Sequence, residues 1–375
     1  MKVLPDPGSV VATALDRVYN EYSERVNLTT GFSLLNLFNS ADFQFDSFCQ
    51  DFVPHSNIGE LKRETIDFGQ EYGILLPNAE HYITCAMFLF PSAPIEKIVR
   101  LSKNYAVDFY LNDTMGREAK PTTEEKLRLY EIRDRLAAVG EDLETFGDIS
   151  TAEKANLEVL AEISRTSPIS WFRTFLKQYL YHIDVAHKSY DTASLGHIPT
   201  IEEYIDIRCA ISGMPHTVTL IEYSMDNYLD WQKLDQAGLK ELVQQINQTV
   251  SLVGALTNDL FSFEKEVIDH KTDSNLVMVV LLNNFRMRLT EAIQLSGNIV
   301  RDLLEDYVRL SLMINQKAGL SSAMSPDDRY TLDAYLKGLK TVLQACWTWQ
   351  TATKRYKRKS SIWSETAARE AVPIP

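Results

Sequence analysis

Cysteine is scarce in this chain, and what there is lies far apart: Cys49, Cys85, Cys209 and Cys346 in 375 residues. With no Cys-x-x-Cys pair, neither a zinc ribbon nor a thioredoxin-like redox centre has support. Scattered cysteines in apolar surroundings read as reduced core thiols, which points to a cytoplasmic protein. Long apolar runs are missing as well. The most apolar stretch, Leu276 to Leu282, is far short of the ~20 residues that cross a bilayer, so no stable membrane insertion is expected. The first residues, Met-Lys-Val-Leu-Pro-Asp-Pro-Gly, lack the apolar segment of a signal peptide. No long basic run offsets a net charge of -13. An acidic surface repels phosphate backbones and anionic lipid, which argues against nucleic-acid binding. Gly-x-Gly-x-x-Gly, Walker-type and Gly-x-Ser-x-Gly patterns are absent, leaving nucleotide binding and serine hydrolysis without support. The seven histidines show no His-x-x-x-His spacing and read as packing or surface groups.

What the chain does have is helical periodicity, with almost no strand alternation. Apolar residues at 45% and charged residues at 24% are ordinary globular values. The periodicity predicts helices over residues 59–72, 79–87, 94–113, 122–139, 151–164, 169–189, 200–212, 215–229, 236–268, 274–285, 287–317 and 326–356. Polar caps, prolines and acids at Pro121-Thr122-Thr123-Glu124-Glu125, Pro199-Thr200-Ile201-Glu202-Glu203 and Ser325-Pro326-Asp327-Asp328 mark three of their starts. Breaks fall at Gly196–Pro199 and Gly213–Pro215. No linker or repeat divides residues 1–375, which implies one large all-α domain around a central cavity. Residues 1–58 and those after 357 are less periodic and read as loops or closing segments.

Residues 258 to 266, Asn-Asp-Leu-Phe-Ser-Phe-Glu-Lys-Glu, carry the strongest chemical signal. At about 100° per residue, Asn258, Ser262 and Glu266 fall within ~80° of one another on a helix. An amide, a hydroxyl and a carboxylate stacked over two turns suit a hard divalent cation. Lys265 adds a cation where an anionic ligand of that metal would lie. A solvated polar stripe would show the same spacing.

This stretch resembles the second metal-binding motif of the class I terpene synthases, and three other segments match the same family. Phe88-Leu89-Phe90-Pro91-Ser92-Ala93-Pro94 resembles the apolar segment before the family's first metal helix. That helix ends Phe109-Tyr110-Leu111-Asn112-Asp113-Thr114-Met115-Gly116, where the family carries Asp-Asp-x-x-Asp/Glu. Here Asn112 replaces the first aspartate and Gly116 the third, while Asp113 remains; Asp108, one turn earlier, and Glu118 stand as further candidates. Tyr204-Ile205-Asp206-Ile207-Arg208 with Ser212-Gly213-Met214 resembles the diphosphate-sensing arginine and its helix break. Arg355-Tyr356 matches a pair that hydrogen-bonds diphosphate.

The resemblance implies an all-α enzyme that ionises an acyclic prenyl diphosphate, C15 or C20, with three Mg2+ ions and cyclises the carbocation. Asn258, Ser262, Glu266 and Asp113, with Asp108 and Asn112 as alternatives, would hold metal. Arg208, Lys265, Arg355 and Tyr356 would grip the diphosphate. Phe88, Phe109, Tyr223 and Trp347 are candidate π walls for the cation, and Gly213 and Met214 would face the substrate at the helix break. The partner expected is the prenyl diphosphate, and a homodimer stays open. Two rivals share the helical fold. A chain-elongating prenyl transferase normally carries paired aspartate-rich motifs, which are missing here. A non-catalytic binder with a decayed first metal site would explain Asn112 and Gly116.

Overall fold

In a computed structural model, residues 6–28, 31–115, 122–144 and 148–367 are described. Among them there is no strand, only the isolated bridges Phe32–Trp363 and Arg358–Ala367. In chain order the helices are α1 Pro7–Val26, α2 Leu34–Phe38, α3 Phe45–Cys49, α4 Ile58–Glu71, α5 Glu80–Leu89 and α6 Ile95–Met115. They continue as α7 Thr123–Ala137, α8 Thr151–Arg165, α9 Ile169–Ala186, α10 Thr192–Leu195, α11 Ile201–Ile211 and α12 Met214–Met225. The last are α13 Trp231–Gln236, α14 Lys240–Phe263, α15 Leu276–Asn283, α16 Leu289–Leu320 and α17 Pro326–Ala352.

The helix starts follow the local chemistry. Thr122, Thr200 and Ser325 cap α7, α11 and α17, each in a reciprocal capping box with an acid three residues on. At Gly213 the backbone enters the left-handed region, φ +74°, and turns α11 into α12. Glycine does this without a Cβ penalty, which is why the break falls there.

α14 lies at the centre, packed against α11, α12, α15, α16 and α17. From Thr249 to Phe263 every residue except Leu252 and Asn258 is buried, as expected for a helix apolar on most of its circumference. α15 buries every residue from Leu276 to Leu282, so the most apolar run is a core helix. Among the described residues no helix is long and apolar enough to cross a membrane.

Two expectations change. Residues 1–58 contain a 20-residue helix, because Asp6 caps it, Pro7 starts it, and Ala14, Val18 and Tyr22 form a buried stripe. The C-terminal helix ends at Ala352; Arg355 and Tyr356 lie beyond it in a 3-10 turn, Lys354–Tyr356. The tail then folds back. Trp363 is fully buried, with its ring centroid 6.0 Å from Phe32 and 6.4 Å from Phe263. Glu365 accepts from the Leu34 and Leu35 amides at 3.1 Å each, closing the start of α2.

Candidate active site

α14 does not end as a straight α-helix. It runs into a π-helical turn, Glu264–Asp269, so Glu266 is displaced from where uniform 100° steps would put it. Asn258 and Glu266 nevertheless line the same cavity, of about 280 Å3. Ser262 does not reach that lining: it is 3% exposed, and its hydroxyl donates to the Asn258 carbonyl at 2.7 Å. Lys265 is half-buried and also lies outside the lining. Glu266 is steadied by Asn275, whose amide donates to Oε2 at 2.9 Å and to the Asp259 carbonyl at 2.9 Å.

Arg208, on α11, enters the same cavity. Its partner is Asp259, with Nε 2.5 Å from Oδ1. Nη2 donates to Asn258 Oδ1 at 2.9 Å. Burial works against the guanidinium charge, yet the fields of Asp259, Tyr204 and Glu266 raise its pKa. From the far side, Asn258 Nδ2 donates to Tyr356 Oη at 2.7 Å and to Gln350 Oε1 at 3.1 Å. One amide side chain therefore joins Arg208 to Tyr356.

Across the cavity, α6 presents Tyr105, Asp108, Phe109 and Asn112, spaced i, i+3, i+4 and i+7. Asp113 lies outside the lining, its Oδ1 4.0 Å from Arg355 Nη2, while the Arg355 guanidinium lies 5.7 Å from the Phe109 ring centroid. Asp108 lines the cavity already paired, with His182 Nε2 at 3.1 Å. Burial alone would raise its carboxyl, but His182, with support from His216 and His187, holds it at about 2. Burial and the His182 charge push the His216 imidazole down to about 3. Gly116 and Glu118 lie outside the described residues.

Three aromatic assignments are corrected. Phe88 packs on Phe52 at 5.6 Å, and Leu89, the next residue around α5, lines the cavity instead. Trp347 stacks on Phe45 at 5.0 Å toward the N-terminal segment, leaving Trp349 to face the cavity. Tyr223 is fully buried against Trp171 at 5.5 Å, with the Lys97 ammonium 4.5 Å from its ring centroid. Phe109, Gly213 and Met214 do line the cavity. The histidines were underrated: His182, His187 and His216 all border it. Tyr105 could have been found from its helical spacing to Asp108 and Asn112, whereas the three histidines come together only through tertiary packing.

The donor set has the character of a hard-cation site with few protein carboxylates. Among the described residues no group of three or more His, Cys, Asp or Glu is arranged to cage a metal. One carboxylate with an amide oxygen fits a cation that takes its remaining oxygens from water and a substrate phosphate.

A family model described as terpene synthase family 2, C-terminal metal binding, matches residues 103–306. The chain belongs to the terpene synthase family. That match runs from α6 through most of α16 and includes the Asn258–Glu266 motif. Sesquiterpene synthase 1 of Postia placenta is 26% identical over 180 residues, 48% of each chain. The alignment thus spans about half the length of that curated relative. Terpene synthase 1 of Cavenderia fasciculata is 24% identical over 328 residues, covering 83% of this terpene synthase and 90% of the relative. Among solved structures, an a-eudesmol synthase superposes with TM-score 0.69 at 15% identity, over 81% of this chain and 97% of that one. Germacradien-4-ol synthase from Streptomyces citricolor gives 0.68 at 18% identity, over 80% and 95%. These likenesses establish the class I all-α fold of this terpene synthase.

Proposed function

We propose that residues 1–375 form one terpene synthase α-domain that ionises an acyclic C15 or C20 prenyl diphosphate and cyclises the carbocation to a sesqui- or diterpene, releasing diphosphate. The observation that carries this is the meeting of Asn258, Glu266, Arg208, Arg355 and Tyr356 at one cavity that also has aromatic walls. The family's metal-binding character supports use of a divalent cation, and we assign Mg2+, in three ions, to it. Asn258 and Glu266 would hold it from the cavity wall, joined by Ser262 and Asp113 once these turn in from outside the lining. When bound, Mg2+ supplies Lewis-acid stabilisation of charge growing on the leaving group.

The chain's own residues do the rest. Arg208, Arg355 and Tyr356 supply fixed donors and positive charge for the departing diphosphate, which lowers the ionisation barrier because they need not reorganise, and Lys265 adds positive charge from outside the lining. Phe109, Tyr105 and Trp349 offer π faces to a cation that has no hydrogen-bonding handle. The docked tail and α1 close the end of α14 and help exclude water from the reacting centre. Four unpaired cysteines support a reducing, cytoplasmic setting.

The test is incubation with C10, C15 and C20 diphosphates and Mg2+, with and without isopentenyl diphosphate, followed by volatile-product and diphosphate analysis. Cyclic hydrocarbon or alcohol with stoichiometric diphosphate is expected. A longer prenyl diphosphate would show chain elongation instead. One observation favours a second reading, a non-catalytic binder: Asp108, the nearest substitute for the missing first aspartate, is taken up by His182. Prenyl diphosphate binding without metal-dependent diphosphate release would establish that reading.

A further inference from the structure

On one side the active-site cavity is bounded where α12 packs against α14. Gly213 turns the chain with φ +74°, and Met214, the first residue of α12, follows. The Met214 side chain lies along the backbone of α14 at Gly254. A Cβ at position 254 would stand 2.6 Å from Met214 Cε, 2.8 Å from Sδ and 3.0 Å from Cγ. Three successive side-chain atoms thus occupy the space that any other residue at 254 would need. Met214 and Gly254 both line the active-site cavity. Their neighbours on the same two helices, Pro215 and Ser251, line a second cavity of about 700 Å3. Met214 therefore stands at the border between the two spaces.

Volume gives this position its meaning. At about 280 Å3 the active-site cavity is small, at the lower end of the roughly 300–1,000 Å3 usual for small-molecule sites. A longer chain needs more room, and Met214 stands between this cavity and the larger one beside it. Building on the cyclase reading above, we infer that Met214, seated on Gly254, sets the depth of the substrate cavity and holds it to a C15 chain in preference to C20. The seat matters as much as the side chain. Methionine is unbranched and adapts readily to its surroundings, so a methyl group at 254 lifts the thioether off α14 and into the cavity. Met214→Ala has the opposite effect and extends the cavity toward its neighbour. Gly254→Ala raises helix propensity, so α14 is not weakened by the substitution itself.

The experiment compares wild type, Met214→Ala, Gly254→Ala and the double variant. It measures kcat/KM with C10, C15 and C20 diphosphates and Mg2+, and calorimetric affinity for inert C15 and C20 thiolodiphosphates. Met214→Ala is expected to raise the C20 to C15 ratio by at least about tenfold, the low end of what a single methylene is worth in an apolar pocket. Gly254→Ala should lower C15 relative to C10 by a similar factor, and the double variant should recover C15 because no thioether is left to displace. Folded single variants whose chain-length ratios stay within about twofold of wild type in both assays would overturn the inference. Absence of diphosphate release by wild type with every substrate would instead strike the cyclase reading, while calorimetry still reads the cavity depth.

Discussion

Arg208 Nε lies 2.5 Å from Asp259 Oδ1, and the two side chains are only 6% and 0% exposed. The other Asp259 oxygen accepts from Tyr204 Oη and, at 3.0 Å, from the Leu276 amide. Asp259 adjoins Asn258, so the carboxylate that holds the arginine sits on the same helical turn as the candidate metal ligand. Arg208, the proposed diphosphate-binding cation, and Asn258, the proposed metal ligand, are thereby fixed relative to each other by a pair that water cannot screen.

Removing half of that pair should be costly. We predict that Asp259→Ala lowers stability by about 3–5 kcal/mol, because Arg208 is left buried without a counter-charge. Chemical denaturation reads this directly. A loss below ~1 kcal/mol would mean that the pair does not hold the two helices.

Asn258→Ala and Glu266→Ala test the proposed metal assignment. Diphosphate release is predicted to fall by at least ~100-fold in each, the scale of losing one preorganised stabilising group. Far-UV circular dichroism should stay unchanged, since both side chains face the cavity. Turnover retained in both variants would discredit the assignment.

Glu264 ties both termini to the π-helical turn. Its carboxylate accepts from Tyr22 Oη at 2.9 Å, from Ser361 Oγ at 2.6 Å and from the Ile362 amide at 2.9 Å. Glu264→Ala strands these buried donors and should cost about 1–3 kcal/mol. The tail is predicted to become a protease-sensitive site. Unchanged cleavage kinetics would show that Trp363 and Glu365 hold the tail without Glu264.

Glu222 predicts a pH dependence away from the active site. Burial pushes its carboxyl from the ordinary 4.5 up to about 7, against the stabilising hydrogen bond from the Leu229 amide at 2.7 Å. Between those values the folded chain holds the proton more tightly than the unfolded one. Its contribution is therefore present below about pH 4.5 and is lost as pH rises through 7, a change of about 3 kcal/mol. Glu222→Gln should remove this slope, so its Tm relative to wild type rises between pH 5 and pH 8. A difference in Tm that is the same at both pH values would contradict a buried, protonated Glu222.

Local chemistry determined much of what the sequence alone reveals. Caps at Thr122, Thr200 and Ser325, the break at Gly213 and the periodicity of α14 depend on neighbours a few residues away, and they are legible without a fold. The Asn258–Glu266 spacing was legible for the same reason, and the family resemblance drew Arg208, Arg355 and Tyr356 toward the cavity it lines. Tertiary structure decided the rest. Trp347 and Trp349 differ by two positions on α17, and only packing against Phe45 shows which one turns from the cavity. The helix at Pro7–Val26 draws its stability from a buried face as well as from its cap. Asp108 became a partner of His182 because α6 and α9 bring together residues 74 apart in sequence. Periodicity records which side of a helix is apolar; what that side meets depends on long-range contacts that no local spacing encodes.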